Sequence, residues 1–129
     1  MAVDKNMKIL IVDDFKSMLM ITDSILKQFG FKHIDQAMDG QSALAKIKEN
    51  KYGLILSDWN MEPMNGMDLL KAVRSDPAVK ATPFILITAE SKAENIIAAK
   101  QAGVNNYIVK PFTAATLKEK MSAVLGAFN

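Results

Sequence analysis

Five short runs of β-branched and other apolar residues alternate along this chain with five longer segments whose apolar residues recur at helical spacing. No other feature restricts the fold so tightly, because alternating strands and helices imply an open parallel sheet covered by helices on both faces. Lys8–Val12 reads as a buried first strand. A helix over 16–29 follows, with Met18, Ile21, Ile25, Leu26 and Phe29 at core spacing, and Gly30 stops it. His33–Ala37 is a weaker second strand. Asp39 is placed to cap a helix over Gly40–Glu49 that turns Ala43, Leu44 and Ile47 inward. The third strand spans 54–57, and Asn65 caps a helix through Arg74 that packs Leu69, Leu70 and Val73. The fourth strand spans 83–88. Ser91-Lys92-Ala93-Glu94 has capping-box spacing, so a helix is expected from there to about Ala102, ended by Gly103. The fifth strand spans 105–109. Thr113 caps a last helix with Leu117, Met121, Val124 and Leu125 on one face.

These ten elements fill the 129 residues, which suits one domain over 1–129. With 50% hydrophobic and 23% charged residues the chain is globular rather than disordered. No apolar run approaches the about 20 residues of a membrane helix, and Met1-Ala2-Val3-Asp4-Lys5-Asn6 lacks the apolar core of a signal peptide. Without cysteines, disulfides and thiolate metal sites are excluded. A cytoplasmic location and a monomer are expected. A net charge of +2, from 16 basic and 14 acidic residues, is too balanced to point to nucleic acid.

Chemistry concentrates where the strands end. Asp13-Asp14 follows the first strand, Asp58 closes the third and Lys110 follows the fifth. Open parallel sheets bind ligands at the carboxyl edge of their strands. Three carboxylates crowded at that edge would repel one another unless a cation held them, and a hard, oxygen-seeking ion such as Mg²⁺ suits the donors. Lys110 then implies that an anionic group arrives at the same place. Carboxylates, metal, lysine and anion together point to phosphoryl transfer onto an aspartate. Asp14 also has a simpler reading as the cap of the first helix. His33, the sole histidine, is too isolated for a metal site, and the nine methionines fill gaps in the core.

Five segments in order resemble the receiver domain of two-component response regulators, and among them the single-domain chemotaxis regulators. They are Val12-Asp13-Asp14-Phe15, Ser57-Asp58-Trp59-Asn60-Met61, Thr88-Ala89-Glu90, Glu94-Asn95-Ile96-Ile97-Ala98-Ala99, and the run from Tyr107-Ile108-Val109-Lys110-Pro111-Phe112 to Leu117. The resemblance implies the flavodoxin-like (βα)5 fold and a phosphoacceptor in a phosphorelay rather than a turnover enzyme. It makes Asp58 the phosphoacceptor, served by a sensor histidine kinase or a small acyl phosphate. It assigns Mg²⁺ to Asp14, Asp58 and the Asn60 backbone carbonyl, with Asp13 acting mostly through water. Lys110 would pair with Asp58 at rest and with a phosphoryl oxygen afterwards, and Thr88 would bond another. The resemblance also implies a cis Lys110-Pro111 bond.

The resemblance further implies a switch in which Thr88 and Tyr107 move on phosphorylation. The output face would include Lys92, Ile96, Ala99, Tyr107, Val109 and Lys120. Asn60 and Glu90 would set the rate of dephosphorylation. The expected partners are a chemotaxis histidine kinase, the flagellar motor switch and an auxiliary phosphatase, with no nucleic acid, no membrane insertion and no attached output domain.

Two departures stand out. Glu62 occupies the place where such receivers carry proline, adding a carboxylate near the metal site, and Asn65 stands where an acid is common. Leu19 and Met20 replace a pair that is often basic, on a helix face that docks partners in the family. These departures keep a second reading open, a phosphate sink that drains the kinase without reaching the motor. Other classes fit less well. A haloacid-dehalogenase-type phosphatase needs an Asp-x-Asp nucleophile on its first strand, and a nucleotide or flavin module needs a glycine- or hydroxyl-rich phosphate loop there; Phe15-Lys16-Ser17-Met18 is neither.

Overall fold

The computed structural model describes residues 4–89 and 93–126. Its elements are β1 (Lys8–Val12), α1 (Lys16–Gln28), β2 (His33–Ala37), α2 (Gly40–Glu49), β3 (Leu54–Asp58), α3 (Gly66–Ser75), β4 (Phe84–Thr88), α4 (Ala93–Gln101), β5 (Asn106–Val109) and α5 (Ala114–Leu125). The five strands form one parallel sheet in the order β2-β1-β3-β4-β5. This is the flavodoxin-like (βα)5 fold expected from the alternation.

Side chains alternate across a strand, so each inner strand feeds two cores. Ile9, Ile11, Leu54, Leu56, Ile85, Ile87 and Ile108 face α1 and α5, meeting Leu19, Leu26, Leu117 and Met121. Leu10, Val12, Ile55, Phe84 and Leu86 face the other way, onto Ala43 and Ile47 of α2, Leu69, Leu70 and Val73 of α3, and Ala99 of α4. A strand buried on both faces is largely apolar, which is why β3 and β4 read as hydrophobic runs up to the buried polar residues Ser57, Asp58 and Thr88 at their ends. β2 lies at the sheet's edge, and its partly exposed, polar sequence follows from that position.

Helix ends follow local chemistry. Asp39 Oδ1 accepts from Ser42 N at 2.7 Å and starts α2. At α3 the Asn65 side chain accepts from Asp68 N, and Asp68 reaches back to Asn65 N, a reciprocal cap. Thr113 Oγ1 caps α5 through Thr116 N. Gly30 and Gly103, after α1 and α4, both adopt the positive φ that glycine tolerates without strain (102° and 97°). The capping box expected at Ser91 lies outside the described residues.

Two expectations need correction. Asp14 does not cap α1: the cap position is Phe15, with no side-chain cap, while the Oδ1 of Asp13 accepts from Phe15 N at 2.9 Å. The core face of α1 is also rotated from its expected place. Leu19, Thr22 and Leu26 are buried, whereas Ile21 is exposed. Both sets obey helical spacing, and only packing against β1 and α5 selects between them.

Arg74 is a tie that apolar periodicity does not reveal. Its guanidinium donates to the carbonyls of Gly103 (2.9 Å), Lys80 (2.8 Å) and Thr82 (2.7 Å) and to Asn105 Oδ1 (2.9 Å). The end of α3 is thereby joined to the segments entering β4 and β5. Replacing it leaves several acceptors without their donor. Arg74→Leu is expected to lower unfolding free energy by about 1–3 kcal/mol, read from the urea midpoint; an unchanged midpoint would show that the tie contributes nothing.

Candidate functional site

The sheet order reverses between β1 and β3. The chain steps outward from β1 to β2, then returns to place β3 on the other side of β1. Connections diverge at such a point and leave a crevice beyond the strand ends, where this fold class binds ligands. The register Val12↔Ser57 brings the ends of β1 and β3 level, so Asp13 and Asp58 emerge side by side. Carboxylate oxygens of Asp13, Asp14 and Asp58 lie within 4.8 Å of one another.

Backbone contacts fix this edge. Asp13 N donates to Ala37 O at 3.1 Å and Trp59 N to Ile87 O at 2.8 Å. The loop after β3 turns back so tightly that Gly66 N donates to Trp59 O at 2.9 Å. A Cβ on Gly66 would collide with the Asp58 carbonyl oxygen and lie 2.9 Å from the Trp59 Cα. Only glycine permits this approach of α3 to the strand that carries Asp58.

Asp13 and Asp58 are buried, and Asp14 is exposed. Lys110 Nζ lies 3.0 Å from Asp58 Oδ1 and 3.6 Å from Asp13 Oδ2. Lys110-Pro111 is cis, as the family resemblance implies. The Lys110 ammonium is the charge partner of Oδ1, and among the described residues this buried oxygen accepts no other hydrogen bond. Burial pushes the Asp58 carboxyl above its ordinary value, against the Lys110 ammonium and with help from the charge on Asp13. Asp13 is likewise pushed up by burial, opposed by the Phe15 N–H and Lys110. A single lysine does not balance three acids here. A cation does, and the arrangement fits one: a buried carboxylate whose Oδ1 meets the Lys110 ammonium and no other donor among the described residues, in a set of three carboxylates that converge to within 4.8 Å. The donor set is all oxygen, which suits a hard divalent ion.

The other expected site residues fall around this edge. Thr88 is the buried last residue of β4, and Lys110 N donates to its carbonyl at 2.7 Å. Asn60 and Glu62 line an open cleft of about 900 Å³ together with Asp14, Met61, Pro63 and Asn65. Glu62 is thus beside the acids but outside the three that converge. Tyr107 lies on β5 opposite Leu86, half-buried, with Lys120 Nζ 5.0 Å from its ring centre. Ile96 and Val109 are half-buried. Glu90 and Lys92 lie outside the described residues.

Two surface assignments do not hold. Ala99 is fully buried against the core, because it lies on the inner face of α4. Leu19 is 1% exposed and cannot form part of a docking face, whereas Met20 is 60% exposed. The helix register decides this, and the apolar pattern of α1 left it ambiguous. Gly66 and the anchoring role of Asp13 were missed. An isolated glycine next to a cap residue was the only signal for the first.

Burial has a consequence for stability. Asp58 has a raised carboxyl in the folded state, so folding takes up protons between its ordinary value of 3.8 and that raised value. Stability therefore falls as pH rises through this window. With divalent ions chelated, Asp58→Asn should be more stable than the wild type at pH 7, read as a higher Tm. The difference should shrink at acid pH, where Asp58 is protonated. A less stable Asn variant at pH 7 would contradict this electrostatic account.

Comparison with known proteins agrees with the geometry. Residues 9–122 match the model of the response regulator receiver domain. The chain is 53% identical over 121 residues to chemotaxis protein CheY-3 of Vibrio cholerae, covering 94% of this chain and 93% of that one. It is 47% identical over 123 residues to chemotaxis protein CheY of Pseudomonas aeruginosa, covering 95% and 99%. The structure of Vibrio cholerae chemotaxis protein CheY4 superposes with a TM-score of 0.87 at 35% identity, covering 93% of this chain and 99% of that one. With its acidic triad at the sheet's switch point, the chain belongs to the response regulator receiver family, as a CheY-like phosphoacceptor signalling protein that undergoes metal-dependent aspartyl phosphorylation.

Proposed function

We propose that this receiver is a chemotaxis regulator that takes a phosphoryl group onto Asp58 and, once phosphorylated, binds the flagellar motor switch. The observation that carries the chemistry is the buried Asp58 carboxylate, with Lys110 at 3.0 Å and two further acids converging on it. Asp58 attacks the phosphorus of a phosphohistidine on a chemotaxis histidine kinase. The acyl-phosphate P–O bond forms as the P–N bond breaks, and the histidine nitrogen leaves with the electron pair. Asp14, Asp58 and the Asn60 carbonyl are the residues to hold Mg²⁺, with Asp13 acting through water. The ion would neutralise charge on the transferring group. Lys110 holds a phosphoryl oxygen, and the Thr88 hydroxyl bonds another. Asn60 and Glu90 flank the acyl phosphate and set its rate of hydrolysis, with an auxiliary phosphatase as a further partner.

Phosphorylation adds about −1.5 to −2 charge at Asp58. Thr88 and Tyr107 are the residues to transmit it, moving inward and shifting the α4–β5–α5 face between two populations. On that face Ile96, Tyr107, Val109 and Lys120 are partly accessible. Support for the chemotaxis setting is the similarity to chemotaxis proteins over nearly the whole chain. A cytoplasmic site of action is part of this reading. Among the described residues no helix is long and apolar enough to cross a membrane.

A phosphate sink is the second reading, favoured by the apolar Met20, exposed where a basic residue is common in relatives. The two part on one experiment. Binding to purified motor switch protein is measured with and without acetyl phosphate and Mg²⁺, alongside phosphoryl transfer from the kinase. A motor regulator shows an affinity gain of roughly tenfold or more on phosphorylation, a coupling of about 1.4 kcal/mol or more. Rapid transfer with no motor binding in either state would replace the leading reading with the sink.

A further inference from the structure

The cleft at the acidic edge has a wall that the catalytic roles leave unused. Glu62 lines it beside Asp14 and Asn60, on the loop between β3 and α3. Its carboxylate makes no hydrogen bond or ion pair with any described residue. Cation binding is therefore not weakened by a competing internal partner for Glu62. Asp14 belongs both to this cleft and to the converging set of Asp13, Asp14 and Asp58, so Glu62 adds a fourth carboxylate next to that set. The buried Asp58 is a member of that converging set, with the Lys110 ammonium 3.0 Å from its Oδ1.

We infer that Glu62 is a specificity-determining residue for the divalent cation, strengthening its capture and favouring larger ions. This rests on the metal-dependent reading above and deepens it. The argument is one of charge and reach. An unpaired carboxylate at the rim of an acidic cleft adds attraction for any divalent ion. The size of the gain depends on the ion. Mg²⁺ holds a tight octahedral shell and gives up water reluctantly, so Glu62 acts on it mainly across water. Ca²⁺ takes six to eight oxygens at longer distance, so it has room for one more carboxylate. The long, exposed Glu62 side chain reorients at little cost toward either ion, whereas a proline at this place has no side-chain ligand to offer.

The test titrates Mg²⁺ and, separately, Ca²⁺ into the wild-type chain and Glu62→Gln, reading Trp59 fluorescence and, independently, the rise in Tm. Trp59 is the only tryptophan and adjoins Asp58. Because Glu62 is exposed, the substitution should leave the fold intact. Glu62→Gln is expected to raise the Kd for Mg²⁺ about threefold and that for Ca²⁺ about tenfold. Glu62→Lys should weaken both ions further. Wild-type binding with both Kd values within twofold in Glu62→Gln overturns the role of Glu62 and leaves the receiver reading standing. Equal weakening of the two ions overturns the preference for larger ions. A wild-type chain that responds to neither ion overturns the metal-dependent reading as well.

Discussion

The arrangement turns on one electrostatic conflict. Two carboxylates, Asp13 and Asp58, are buried at the end of a parallel sheet, with Asp14 beside them. Burial alone favours protonation, and a protonated Asp58 cannot attack phosphorus. Lys110 at 3.0 Å answers part of the charge. The remainder calls for a divalent ion, so nucleophile and metal are linked by the same physics. Phosphoryl transfer asks for little beyond positioned charge, and this edge consists of positioned charge and little else.

The rest of the fold holds that edge in place. Apolar strands buried on both faces fix β1 and β3 level with one another, and their register sets Asp13 against Asp58. Gly66 lets α3 begin hard against the Asp58 carbonyl. The Lys110 N–H to the Thr88 carbonyl ties the β5 end to the β4 end, so the lysine and the hydroxyl residue share one frame. In the proposed switch, a charge arriving at Asp58 would act on groups joined through backbone to the half-buried Tyr107 and the surface around it. The Lys120 ammonium 5.0 Å from the Tyr107 ring is a further contact that a movement of that ring would alter.

Much of this was legible in the sequence, for stated reasons. Strand runs such as Leu54 to Ser57 and Phe84 to Thr88 announce themselves because both faces are buried. Asp39, Asn65 and Thr113 cap helices through short-range chemistry that needs no tertiary context. The acidic residues and Lys110 stand at strand ends, where the parallel topology alone makes them neighbours. What was not legible depends on rotation and long-range packing. The pattern of α1 allowed two inner faces, and the structure chose the one that buries Leu19 and exposes Ile21. Ala99 was expected on the output face from the family resemblance alone, and the weak amphipathic contrast of α4 offered no sign against it. Arg74 bonds to carbonyls up to 29 residues away, which no local pattern encodes. Asp13 rather than Asp14 holds the start of α1, since the turn after β1 places only Asp13 Oδ1 within reach of the Phe15 N–H.

The central claim is that Asp58 is the covalent acceptor and that a divalent ion is required. Intact-mass spectrometry tests it most directly. The wild-type chain and Asp58→Asn are incubated with acetyl phosphate, with Mg²⁺ and with chelator. The account predicts one hydroxylamine-labile phosphoryl group on the wild-type chain, present only with Mg²⁺ and absent from Asp58→Asn. Equal uptake by Asp58→Asn, or uptake by the wild type in chelator, would contradict it.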